Sequence, residues 1–177
     1  MKHRQRRRFG MTLAELLVVI TIITISATLI LPVVISLART RRVDGAVSSI
    51  QAKLHGAQVR AVAQRATHGL VLYLVPQEDA DAPQARFACL IVDDKGDTAA
   101  REAPELFPAG LDLLVYHAGD STPKTMPQVI RFKSDGTVDP ALPTPVQIRV
   151  LDAIDHTDTT DVIIRRPGTI EVLERAK

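Results

Sequence analysis

The apolar positions of this chain follow three successive rhythms. From Leu16 to Ala38 there is no alternation: 23 residues, LLVVITIITISATLILPVVISLA, pass without a charge. As an α-helix such a run is about 34 Å long, enough to cross a bilayer. Pro32 lies within it, removes one internal hydrogen bond, and predicts a kink of the kind membrane helices accommodate. The second rhythm is helical and one-sided. Val43, Val47, Ile50, Leu54, Ala57 and Ala61 recur at steps of four and three, with Arg42, Ser49, Lys53 and Arg60 off the stripe, so the helix continues with one face to bury. Gly45 and Gly56 weaken it. His68-Gly69 is expected to end it, glycine being the usual residue just past a last helical turn.

After Gly69 the third rhythm is one of short apolar runs between turn residues, which predicts strands. They are Leu70 to Val75, Arg86 to Val92, Leu111 to Tyr116, Gln128 to Phe132, Pro145 to Leu151, Asp161 to Arg166, and TIEVL after Pro167-Gly168. The turns DDKGD, HAGD and KSDGT separate several of them. Connections this short leave no room for helical crossovers, so the seven strands should form a largely antiparallel sheet. The inner faces are expected to carry Leu72, Leu74, Ile130, Phe132, Ile148 and Ile163, covering the helical stripe as in a two-layer α+β domain.

Charge adds a polarity to this plan. The formal net charge is +2, but Lys2, Arg4, Arg6, Arg7 and Arg8 supply five of the 22 basic residues. From Met11 onward 17 basic residues face 20 acidic ones, a net of −3, and from Leu70 to the end 11 face 18, a net of −7. That sign argues against nucleic acid as a partner of the body, since phosphate contacts need clustered Lys and Arg. Cys89 is the only cysteine, so neither an internal disulfide nor a Cys-based zinc site can form.

Glu15 does not fit a plain anchor. A secretory signal peptide would start with such a basic segment, but its apolar run is about 7 to 15 residues long and ends in an Ala-x-Ala pair. A simple signal anchor explains the length and leaves the carboxylate without a purpose, although acidic groups in membrane segments need a partner. A third reading provides one. If the chain is cut after Gly10, Met11 gains a free α-amine, and the amine of a neighbouring copy can pair with Glu15.

The stretch GMTLAELLVVI, from Gly10 to Ile20, resembles the class III signal of type IV pilins and type II secretion pseudopilins: a short basic leader ending in Gly, then an apolar helix with Glu at the fifth mature position. Met11 stands where the family usually has Phe. Further along, VIRFKSDGTV (Val129 to Val138) and the closing hairpin IIRRPGTIEV are similar to the body of the minor pseudopilin H (GspH/FimT family) and FimT-like minor pilins. The stretch from Gln77 to Met126 has no counterpart in that resemblance. It implies a pilin-like α+β fold with a leader at 1–10, a transmembrane and assembly helix at 11–38, an amphipathic helical half at 39–68 and a β-rich body at 69–177. It also implies cleavage between Gly10 and Met11 by a prepilin peptidase, N-methylation of Met11, and an assembly salt bridge from Glu15.

Other chemistry finds little footing. His3, His55, His68, His117 and His156 show no paired spacing, so no metal site is expected and the histidines read as solvated or capping. The ladder Asp152, Asp155, Asp158 and Asp161 lacks the alternation and central Gly of a calcium loop and reads as an exposed loop between strands. No nucleophile elbow or phosphate loop is present, and Cys89 reads as a small buried hydrophobe. No cofactor is expected. The reading is of a non-enzymatic minor pseudopilin helping to export folded proteins, single-pass in the inner membrane with its N-terminus cytoplasmic and its body periplasmic. Its expected partners are the prepilin peptidase, other major and minor pseudopilins, and the inner-membrane assembly platform. The alternatives are a minor pilin in motility, adhesion or DNA uptake, and a membrane-anchored periplasmic enzyme or binding protein. The last predicts a pocket of convergent polar groups in the body.

Overall fold

The computed structural model describes residues 12–75, 86–95, 103–154, 156 and 159–174. One helix, α1 (Leu13–Gln64), precedes eight strands: β1 (His68–Val75), β2 (Arg86–Val92), β3 (Glu105–Leu106), β4 (Leu111–Tyr116), β5 (Gln128–Phe132), β6 (Val146–Asp152), β7 (Thr159–Ile164) and β8 (Ile170–Glu174). The chain divides into two units, Met1–Ala38 and Arg39–Lys177. In the first, every described side chain is exposed. The second holds the core.

The strands form two sheets rather than the single sheet expected, with orders β3-β2-β1-β5 and β4-β6-β7-β8. Every pairing is antiparallel. β3 escaped the sequence reading because it has only two residues, too few for alternation to show. All six residues of the predicted helical stripe are buried, joined by Ala46. They share one apolar cluster with Leu70 and Leu72 of β1, Ile91 of β2, Val115 of β4, Ile130 and Phe132 of β5, Ile148 of β6 and Val162 and Ile164 of β7. Two inner-face assignments need correction. Leu74 is 43% exposed, near the end of β1. Ile163 is only partly buried, because in β7 its neighbours Val162 and Ile164 take the inward parity.

The end of the helix also differs from expectation. α1 stops at Gln64, and Arg65 adopts φ 51°. Ala66 N–H donates to Ala61 O at 3.2 Å and Arg65 N–H to Val62 O at 3.3 Å, the two bonds of a Schellman cap with arginine in the left-handed position. His68-Gly69 instead open β1. Gly69 is glycine because β5 runs too close for a side chain: a Cβ there would lie 2.9 Å from Ile130 O. His68 is buried, its Nδ1 3.3 Å from Ala66 O, rather than solvated.

One side chain of the helix holds a turn from each sheet. Gln58 Nε2 donates to Gly136 O at 2.9 Å and to Gly168 O at 3.1 Å. Gly136 lies in the turn after β5, and Gly168 in the turn joining β7 to β8. Gly168 has φ 86°, and a Cβ on it would sit 2.3 Å from Gly136 O, so no other residue fits without moving both turns. Val138 N–H, donating to Arg166 O at 3.3 Å, draws the same two loops together.

Two stability measurements follow. Replacing Arg65 by Gly should raise stability by about 1 kcal/mol, because glycine takes the left-handed cap without steric cost; thermal denaturation of the full chain in detergent reads it. Gln58→Ala should lower stability by about 1 to 3 kcal/mol, since it strands two partly buried carbonyls. The same denaturation series shows whether the amide acts as the tie between the turns.

Candidate assembly site at the helix N-terminus

Thr12 and Glu15 close the start of α1 reciprocally. Glu15 N–H donates to Thr12 Oγ1 at 3.2 Å, while Thr12 N–H donates to Glu15 Oε2 at 2.8 Å and the Thr12 hydroxyl donates to the same oxygen at 3.1 Å. Leu16 N–H then makes the first helical bond, to Thr12 O at 3.1 Å. This is a capping box, T-x-x-E immediately before an apolar run. The pattern stands in TLAE in the sequence, a signal for Thr12 that the charge of Glu15 alone does not reveal. The carboxylate is exposed and has no basic partner among the described residues. Gly10 and Met11 lie outside the described residues.

Beyond the cap, α1 is suited to lipid along its own backbone. Four of its hydroxyls are satisfied within the helix: Thr21 donates to Leu17 O, Thr24 to Ile20 O and Thr28 to Ile25 O at 2.8 Å each, and Ser36 to Val33 O at 2.9 Å. Such bonds to the preceding turn let these hydroxyls sit in lipid without water. By length and composition the helix can cross a membrane.

The two described members of the acidic ladder, Asp152 and Asp161, are buried rather than exposed. Asp152 is fully buried at the end of β6, its Oδ1 accepting from Ile154 N–H at 3.0 Å. Asp161, 4% exposed on β7, lies directly across from Arg149. It accepts from Arg149 Nε at 2.9 Å and from Gln147 Nε2 at 2.6 Å. Its carboxylate raises the Arg149 pKa, and the guanidinium also lies 5.1 Å from the centre of the Tyr116 ring. Asp155 and Asp158 lie outside the described residues. Among the described residues no group of three or more His, Cys, Asp and Glu could hold a metal. Cys89 is buried on β2. A shallow cleft of about 400 Å³ does open beside Tyr116, His117, Asp120, Gln147 and Arg149. Its strongest charge is already committed to Asp161, and Asp120 is held by Lys124 at 2.7 Å.

The sequence matches the prokaryotic N-terminal methylation motif over residues 5–31. The fold is similar to that of the type IV minor pilin FimU of Pseudomonas aeruginosa PAO1, with a TM-score of 0.53 and 19% identity over 75% of this chain and 89% of that one. The fold is type IV pilin-like. At that identity the second likeness is one of fold, while the first concerns the segment that carries Glu15. No curated protein matches the chain. The apolar helix and the methylation motif are consistent with a single-pass anchor in the inner membrane.

Thr12→Ala should remove the two bonds of the Thr12 hydroxyl, leaving the backbone N–H at position 12 on Glu15, and weaken the first turn by about 1 kcal/mol. Hydrogen exchange of the amides from Leu13 to Leu16, on the full chain in detergent, should accelerate while the body's amides stay unchanged.

Proposed function

We propose that the chain is a minor pseudopilin: a leader of ten residues is removed after Gly10, Met11 is N-methylated, and the mature subunit enters a type II secretion pseudopilus. The observation that supports this reading is the methylation motif together with a helix whose first turn presents an exposed carboxylate with no basic partner among the described residues. Both hydrogen bonds from Thr12 use Oε2, which leaves Oε1 to accept from the Met11 amine of an adjacent subunit. In lipid an isolated carboxylate is costly, and the amine relieves that cost only when two subunits meet. Glu15 would therefore drive assembly rather than folding. The prepilin peptidase, the other pseudopilins and the inner-membrane platform are the partners this reading requires, with the leader cytoplasmic and the body periplasmic.

The likeness to FimU supports a second reading, a minor pilin of a type IV pilus. Deleting the gene separates the two: loss of exoprotein secretion with twitching intact supports the pseudopilus, and the reverse supports the pilus.

The common core of both readings has its own test. In cells with an active peptidase, mass spectrometry should find a mature chain that begins with methylated Met11. Glu15→Ala should still be processed and remain in the membrane, yet reach the filament at least tenfold less than the wild type. An intact leader, or normal assembly of Glu15→Ala, would sink the proposal.

A further inference from the structure

A groove of about 370 Å³ opens where the body begins, between the α1 residues Arg41, Arg42, Gly45 and Ala46 and the β3 residue Leu106 with Phe107 after it. Three features distinguish it from the rest of the surface. First, both guanidiniums are exposed, and neither makes a hydrogen bond or ion pair among the described residues. Second, the nearby carboxylate of Glu105 is already occupied: it accepts from Ser49 Oγ and lies 3.6 Å from Lys53 Nζ. Asp44 is the remaining acid on that turn, against Arg39, Arg41 and Arg42, so this end of the body is positive although the chain from Leu70 onward carries −7. Third, Leu106 is 56% exposed on the outer edge strand of its sheet.

We propose that this groove seats an anionic phospholipid headgroup, with the phosphate between Arg41 and Arg42 and Leu106 in the interfacial layer. The helix itself supplies the depth. Arg41 and Arg42 follow Ala38, the last residue of the uncharged run, by three and four residues, so they stand within about one helical turn of its end. A cation at that level meets headgroup phosphates, and guanidinium matches phosphate by paired hydrogen bonds. An apolar side chain beside it is suited to the boundary between headgroups and acyl chains. A second copy of the chain is a poorer occupant on charge range: the attraction of a distant acidic face is screened within about 10 Å at ordinary salt, whereas the headgroup lies at contact. The site would fix the height and rotation of the body at the membrane. It rests on α1 crossing the bilayer and is independent of filament assembly.

The chain contains no Trp, so Leu106→Trp gives a single fluorescent reporter at an exposed edge position, and Ala27→Trp gives one inside the span. Each full-length variant is reconstituted into vesicles of phosphatidylcholine alone or mixed with phosphatidylglycerol, with lipids brominated near the headgroup or deep in the chains. The residue-27 reporter should be quenched by the deep probe in both compositions. The residue-106 reporter should shift to the blue and be quenched by the shallow probe several-fold more strongly with phosphatidylglycerol. That gain should disappear in Arg41→Gln/Arg42→Gln and in high salt. Absence of quenching at residue 27 would remove the membrane premise. Normal quenching at residue 27, with residue 106 indifferent to lipid charge, would overturn the headgroup site. Shielding of residue 106 by added sister subunits and not by lipid would also overturn it, giving the groove to a protein.

Discussion

The body depends on one contact, the face of α1 from Val43 to Ala61 laid against strands of both sheets. Its seven buried residues are at most 4% exposed, and Ile50, Leu54, Ala57 and Ala61 are fully enclosed. Truncating one large member such as Ile50 or Leu54 to Ala would cost about 2 to 5 kcal/mol, a large part of the 5 to 15 kcal/mol or so that holds a typical domain. That scale explains Arg65. A left-handed arginine costs about 1 kcal/mol, and packing of the preceding turns outweighs it, so the stripe sets where the helix ends. Gln58 then registers the sheets against that helix. It directs one amide to a turn from each, reinforcing the bond from Val138 N–H to Arg166 O between the same two loops.

The same helix has a second duty that follows from opposite burial. Between Leu13 and Leu37 its large apolar side chains are all 40% or more exposed, which water does not favour at such density. Lipid or the helices of other subunits must cover them. Glu15 sits at the head of this surface in a capping box, so its charge is compatible with a folded helix before any partner arrives. The arrangement divides labour within one element: the distal half builds a domain, and the proximal half carries an exposed apolar surface long enough to cross a membrane.

Much of this was legible because the determining signals are local. β2, β4 and β5 fall on their predicted limits, each being an apolar run closed by Asp, Gly or His-containing turns or opened by Pro. The helical stripe was legible for the same reason, its period being set by one element alone. What was not legible depends on partners distant in sequence. Periodicity says that Asp161 lies on a strand surface, but its burial comes from Arg149 and Gln147 across the ladder. Gly69 looks like a helix cap until β5 is placed beside it. The split into two sheets is a matter of strand order, which alternation does not encode. At the candidate site Glu15 is conspicuous by charge alone, whereas the role of Thr12 in the capping box requires the geometry of the first turn.

The central claim is that the exposed N-terminal half of α1 is a contact surface for other pilin-like subunits. Leu13, 82% exposed and two residues from Glu15, is the place to test it directly. A photoreactive residue at position 13, activated in living cells that express the complete assembly machinery, should crosslink to the N-terminal segment of another pilin-like subunit, and the adduct should vanish when the prepilin peptidase is absent. Efficient labelling with no such adduct, or the same adduct in the absence of the peptidase, would contradict the account.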